Sequence, residues 1–412
     1  MVRDLKLLRI AWWAMLVALV DLLIHLRAVL TIRVGVALAL IATTAWVAGR
    51  VPLTTANPIL GVARVGGSTG PIAIDARTGR AFVIASSDRV VMLDTMTGGI
   101  LGTTVVAPGH ADLAINPTTN RVFVVNDPYP MTGFRGSVSV LDARNGRLLR
   151  TVPLPGIPYA VVMSERLGRV FVLNINNYGM SILDARSGQV LGTVPMANGG
   201  PLLDPRALAI DDQHGLVYAA LGSNDGYRMA VVNARLGTLV HLTRVGTGMS
   251  APAGPIAVDP ASGHAYTVSN NGLNMLDTSG RIARTIRGLD GGAIVDSHHG
   301  RLIVSTSGGI AILDSKAGRL LKTVHLGKEF AEPLAVDEAS GRILVAVSCP
   351  CDANWEPIGD ASLYMIDEMT GAVLHYFTGG RGPAWAAVDP RTGHAFVSNA
   401  GDGTVTVLDL RD

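Results

Sequence analysis

Charge is scarce in this sequence. Asp, Glu, Lys and Arg make up 16% of it, and 34 basic residues nearly balance 32 acidic ones. A formal net charge of +2 exerts little long-range pull on a polyanion, which argues against a nucleic-acid partner. Cysteine is scarcer still, with only Cys349 and Cys351. Two residues cannot build a disulfide framework. Neither follows the N-terminal apolar runs closely, which argues against a lipoprotein anchor. Catalytic signatures are missing too. There is no Gly-x-Ser-x-Gly elbow, no His-Glu-x-x-His and no Gly-x-x-x-x-Gly-Lys-Ser/Thr loop. No paired carboxylates stand out above a repeated Asp background. The sequence therefore indicates no catalytic residue, no metal and no cofactor.

Glycine is plentiful, at 48 of 412 residues. Low charge with many glycines fits short strands joined by tight turns. The N-terminus differs. Residues 10–24 are apolar except for Asp21, and residues 34–49 carry no charge. Each run is slightly short of the ~20 residues that span a bilayer. Arg3, Lys6, Arg9, Arg27 and Arg33 precede the second run, against Asp4 and Asp21 only. Basic residues before an apolar run hold that side in the cytoplasm. Residues 34–48 thus read as an export signal or signal anchor, with Thr54-Thr55-Ala56 as a small-residue stretch open to cleavage. The expected division is a hydrophobic, helical signal or anchor segment over 1–56, with one or two spans, and a single domain over 57–412.

Within that domain one phrase returns eight times. It runs apolar-Ala-apolar-Asp, a short gap, Gly, a β-rich run, a variable gap, then apolar-Leu-Asp-x-x-x-Gly. The first copy has Ile72-Ala73-Ile74-Asp75, Gly79-Arg80 and Val91-Met92-Leu93-Asp94; the last has Ala386-Ala387-Val388-Asp389, Gly393-His394 and a second signpost ending at Asp409. The second signpost falls at Asp94, Asp142, Asp184, Asn233, Asp277, Asp314, Asp367 and Asp409, a mean spacing of 45 residues. A period of ~40–45 with four short strands per unit is that of β-propeller blades. Each copy divides into strands A to D. The A–B and C–D turns share one design, in which Asp bonds backbone N–H groups and Gly takes the positive φ. Asn120 stands for that Gly in copy two, and Asn is the best substitute. The last copy stops after strand C, while Ile59-Leu60-Gly61-Val62-Ala63-Arg64-Val65-Gly66 looks like a stray strand D. The expected fold is all-β, a propeller of eight four-stranded blades, closed by this N-terminal strand pairing into the last blade. Seven blades are the alternative, in which a copy near Asp277 or Asp314, where the spacing is shortest, is misread.

The B-strand phrases Val122-Phe123-Val124-Val125-Asn126, Val170-Phe171-Val172-Leu173-Asn174 and Phe396-Val397-Ser398-Asn399, with the following Val-x-Val-Leu-Asp, resemble the YVTN-type repeat of YncE-like propellers. The resemblance covers residues 57–412. It implies the ring fold, usually of seven blades, and little about activity; related rings occur in lactonases and amine dehydrogenase heavy chains. Fold alone names no function.

The uniform A–B and C–D turns share one face, and the variable B–C and D–A loops share the other. Variable loops on a rigid scaffold are where binding sites usually lie. The candidate contacts are Asp127, Tyr129, Phe134 and Arg135 in copy two and Asn177 and Tyr178 in copy three. Copy four adds Asn224, Tyr227 and Arg228, copy seven Trp355, and copy eight Trp385. Each has a plainer reading as loop packing, and Asn224-Asp225-Gly226 is also an ordinary hairpin signal. Cys349 and Cys351 read as a local disulfide or inert thiols. His298-His299 reads as a polar A–B turn, and His214, His264 and His394 as turn residues. The function expected is non-catalytic: an extracytoplasmic propeller, membrane-anchored or secreted, binding a protein, peptide or cell-envelope component. The alternative is an enzyme using the channel, either a lactonase-like hydrolase or a cofactor-dependent dehydrogenase subunit.

Overall fold

Short apolar runs cut by Asp-x-x-x-Gly turns fold as antiparallel strands. In the first copy Gly79 N–H donates to Asp75 O at 2.9 Å, and Gly98 N–H to Asp94 O at 2.9 Å, closing the two turns. Thr95 N–H then donates to Gly79 O at 3.1 Å, tying one turn to the other. The computed structural model describes residues 58–86, 88–127, 136–174, 179–196, 204–223, 226–247, 255–289, 291–347 and 361–412. They fall in the compact unit Thr54–Asp412. There is no helix among the described residues. The hydrophobic segment expected over 1–56 lies outside them.

The first copy forms the sheet Thr69–Asp75, Arg80–Ala85, Arg89–Asp94 and Ile100–Val105, with each strand antiparallel to the next. Copies two to five repeat this four-stranded meander. Copies six and seven run together as six strand segments: Ala293–Asp296, Arg301–Asp314, Leu320–Asp337, Arg342–Val347, Ser362–Asp367 and Val373–Thr378. Leu320–Asp337 pairs with Arg301–Asp314 through its first part and with Arg342–Val347 through its second. The last sheet is Pro383–Val388, His394–Asn399, Thr404–Asp409 and, from the other end of the described chain, Ile59–Arg64. Ile59 faces Leu408 and Arg64 faces Thr404. The N-terminal strand thus completes the C-terminal sheet, as the stray strand D predicts.

First strands of neighbouring sheets touch in cyclic order. Thr69–Asp75 touches His110–Asn116, then follow Pro158–Ser164, Asp204–Asp211, Ala257–Asp259, Ala293–Asp296, Leu320–Asp337 and Pro383–Val388, which returns to Thr69–Asp75. The A strands therefore form the inner wall and the D strands the outer rim. Burial follows from this order. Arg80–Ala85, Arg121–Asn126 and Arg169–Asn174 are buried throughout beyond their first residue, because both faces of a B strand meet a neighbouring sheet. Ile100–Val105 is half-exposed. The core lies between sheets. Phe82, Met92 and Ile84 of copy one pack with Leu113, Val122 and Leu141 of copy two. Phe396 and Val407 of the last copy pack with Ala81, Val83 and Leu93 of the first. Phe82, Phe123, Phe171 and Phe396 are fully buried, each contributing about 1.5–3 kcal/mol.

Candidate functional site

The two faces differ chemically. On the turn face the repeated carboxylates are spent on backbone. Asp94 Oδ1 accepts from Met96 and Thr97 N–H at 3.0 Å each, and Asp184 Oδ1 from Arg186 and Ser187 N–H at 3.1 and 2.7 Å. Asp367 Oδ1 accepts from Thr370 N–H at 2.7 Å. Although burial acts to raise Asp94 and Asp367, these bonds bring both below the ordinary carboxylate range; for Asp184 the Ser187 hydroxyl is the leading cause of the same shift.

On the loop face, the Asn that ends a B strand fastens the loop edge from beneath. Asn126 Nδ2 donates to Ser137 Oγ and Ser139 Oγ at 3.1 Å, and Asn399 Nδ2 to Thr404 Oγ1 and Thr406 Oγ1 at 2.9 Å. Asn174 Nδ2 donates to Ser181 Oγ at 3.0 Å. These Asn side chains are committed to neighbouring strands, so their task is structural.

The inner wall near this face carries two exceptions to its repeat. Four residues before the polar residue that closes each A-strand phrase (Asp75, Asn116, Ser164, Asp211, Asp259, Asp296, Asp337 and Asp389) stand Pro71, Ala160, Ala207, Pro255, Gly292 and Pro333, but also Asp112 and Trp385. Asp112 bridges two sheets: its Oδ1 accepts from Leu113 N–H at 2.8 Å and its Oδ2 from Val161 N–H at 2.9 Å. Burial pushes its carboxyl up to about 7, against the two N–H bonds. Trp385 is 41% exposed beside a strand irregularity between Pro383 and Trp385. Glu332, partly buried on Leu320–Asp337, is also raised by burial.

Of the residues proposed from sequence as contacts, four are described. Trp385 is exposed; Asp127 and Arg228 are partly exposed. Tyr227 is 5% exposed and packs with Tyr218, Met229 and Val245 in the core between copies four and five, so it is no surface contact. The cause is strand length: Ser223 pairs with Gly226, and the hairpin draws Tyr227 into Gly226–Asn233 opposite Gly222 and Gly246. Tyr129, Phe134, Arg135, Asn177, Tyr178, Asn224, Trp355 and both cysteines lie outside the described residues. Other exposed large apolar side chains sit mostly on outer strands, among them Leu60, Val62, Leu101 and Leu191.

One constellation on the turn face escaped the sequence reading. Asp296, His299 and Glu368 bring their ligand atoms within 4.8 Å of one another. Asp296 and Glu368 are buried and His299 is partly exposed. His299 Nδ1 lies 3.0 Å from Asp296 Oδ2 and 2.8 Å from Glu368 Oε1. Burial, and next the Asp296 carboxyl, raise Glu368; the bond to Asp296 raises His299. The signal was there in the repeat. The residue after the C-strand Asp or Asn is Thr95, Ala143, Ala185, Ala234, Thr278, Ser315 and Leu410 in the other copies. Only copy seven carries an acid.

No family model and no curated protein matches this chain. Solved structures do. BamB from Moraxella catarrhalis matches with a TM-score of 0.60 at 17% identity, over 85% of this chain and 99% of that one. The computationally designed Ika8 protein matches with a TM-score of 0.63 at 15% identity, over 84% and 99%. At such identities the likeness is one of fold, and it makes this chain a β-propeller.

Proposed function

We propose that this chain is a non-catalytic, extracytoplasmic propeller of eight blades that binds a protein, a peptide or another cell-envelope component through its B–C and D–A loop face. Residues 1–56 act as the signal or membrane anchor and 57–412 as the propeller, whose repeat is of the YVTN type. The eightfold count is supported by eight apolar clusters, each drawn from two adjacent copies. It is supported also by Ser315 N–H donating to Gly300 O at 3.0 Å, across the two ends of Arg301–Asp314, the counterpart of the Thr95–Gly79 bond.

The observation that carries the binding reading is the contrast between faces. The repeated Asp carboxylates of the turn face, such as Asp94 and Asp367, are committed to backbone N–H groups, whereas Trp385 stands 41% exposed at the channel edge of the loop face. Exposed Trp is a typical anchor of recognition surfaces. A photo-crosslinking residue at position 385 in cells is expected to give partner adducts, and one at position 314, on the turn face, none. Adducts from 314 alone overturn the assignment of the face. A reporter fused after Asp412 is expected to be active only outside the cytoplasm. Cytoplasmic activity would mean that both apolar runs cross as a hairpin.

A further inference from the structure

The A strand of each copy ends at or just before a polar residue, and in several copies the next copy supplies a donor to it. Ser315 Oγ donates to Asp259 Oδ2 at 2.7 Å. The Thr95 hydroxyl bonds to Asp389 across the closure, and Arg411 Nε donates to Asp337 Oδ2 at 2.9 Å. Between copies six and seven the rule breaks. Asp296, fully buried, meets Glu368, which is 2% exposed. A carboxylate occupies the place of a donor.

His299 repairs this only in part. Its backbone N–H donates to Asp296 Oδ1 at 2.9 Å, and its Nδ1 bonds to Asp296 Oδ2. Nδ1 carries at most one proton, so it offers a single N–H to be shared between the two carboxylates. Glu368 Oε1 lies at ion-pair distance from His299, and its carboxyl stands against that of Asp296, so two carboxyl groups share one imidazole. The nearby Arg301 is engaged elsewhere, its Nη1 on the carbonyls of His299 and Gly300 at 3.1 and 3.5 Å and its Nη2 on Met369 Sδ at 3.6 Å. Two buried carboxyl groups around one imidazole are costly unless a cation meets them.

Copy four supplies an internal control. His214 N–H donates to Asp211 Oδ1 at 2.9 Å, and Nδ1 lies 2.8 Å from Oδ2, the same local turn. There the next copy offers Thr278 at the position of Glu368. The Asp-x-x-His turn alone is therefore complete, and Glu368 is what makes copy six different.

We propose that Asp296, His299 and Glu368 bind one divalent transition-metal ion of the zinc class, which clasps copy six to copy seven on the turn face. Two carboxylate oxygens and an imidazole nitrogen are zinc ligands at about 2.0–2.2 Å, so ligand atoms around the ion stand about 3.4 Å apart. The three atoms here already lie within 4.8 Å of one another. His299 is partly exposed and gives the ion its route from solvent.

The test uses the full-length chain in detergent, without a polyhistidine tag and with Cys349→Ser and Cys351→Ser, so that the thiols do not compete. After chelator treatment, zinc chloride is titrated calorimetrically, with metal analysis of the desalted protein. One zinc per chain and a rise in Tm are expected. Glu368→Gln keeps the side chain's shape and is expected to weaken binding roughly tenfold or more and to abolish the Tm rise. His214→Ala is expected to bind as the parent does. A parent that takes up no zinc overturns the proposal, and so does Glu368→Gln binding as tightly as the parent.

Discussion

Arg411 grips Asp337 from the next copy: its Nε donates to Oδ2 at 2.9 Å and its Nη2 to Oδ1 at 3.2 Å. Asp337 is 1% exposed and its remaining side-chain donor is Ser340, at 2.7 Å. Burial acts to raise this carboxyl, but Arg411 and Ser340 bring it below the ordinary range. Arg411→Met leaves a buried carboxylate half-satisfied and is expected to cost about 1.5–3 kcal/mol. The pH dependence follows from the sign. A carboxyl whose folded pKa is depressed contributes its full stability above its unfolded pKa and loses it as pH falls through the folded value. The gap between wild type and Arg411→Met should therefore be widest at neutral pH and narrow below about pH 4. Urea melts at pH 7 and in acid measure it. A gap that widens on acidification would contradict this.

Gly98 sits at φ +68°, and a Cβ there would stand 2.8 Å from Val407 Cγ2, across the seam between first and last copies. Gly98→Ala is expected to cost about 1–2 kcal/mol from backbone strain, with the contact added. Gly102, four residues on in the outer strand Ile100–Val105, has nothing within 4 Å of its Cβ position. Gly102→Ala should fall within about 0.5 kcal/mol of wild type. Thermal unfolding of the pair decides it, and equal effects would refute the seam argument.

Asp112 runs the other way from Asp337. Burial raises its carboxyl from 3.8 to about 7, so between these values the folded protein holds a proton that the unfolded chain has lost. Stability then falls as pH rises from about 4 to 7. Asp112→Asn cannot titrate and lacks this contribution. The free energy of wild type relative to Asp112→Asn should decline across that window and stay flat above it. Urea titrations at pH 5, 6, 7 and 8 provide the measurement, and a parallel pair of curves would be incompatible with a raised Asp112 carboxyl.

The ring and its seam were legible because strand closure and turn chemistry are local matters. Asn120 sits at φ +54°, in the place where other copies use Gly, and Ile59 meets Leu408 as the stray strand D implies. The continuous pairing of copies six and seven was not legible. Gly308 and Gly309 join strands B and C so tightly that both read as one segment, Arg301–Asp314. Tyr227 misled because aromatic character in a loop-like context suggests a contact, while one tight hairpin places it in the core. Glu368 was overlooked for the opposite reason. An acid next to a turn Asp looks like surface charge, and only the facing copy reveals that it is buried against Asp296.

The last prediction separates recognition from folding. Arg135 and Trp355 are expected from sequence to belong to the loop face, and Trp385 is exposed, so truncating Trp385 removes little core. Asp314 belongs to the turn face, where its Oδ1 accepts from Ala317 N–H at 2.7 Å. Once a partner is in hand, Arg135→Ala, Trp355→Ala and Trp385→Ala are expected to weaken binding, roughly tenfold or more for any that is a hot spot, because such residues supply large contact area. Their stability should stay within about 0.5 kcal/mol of wild type. Asp314→Ala should do the reverse, costing about 1 kcal/mol through the lost turn bond while leaving affinity intact. Affinity by calorimetry and stability by urea unfolding, on the same preparations, make the comparison. Normal binding by all three loop variants, together with loss of binding by a folded Asp314→Ala, would move the recognition surface to the opposite face of the ring.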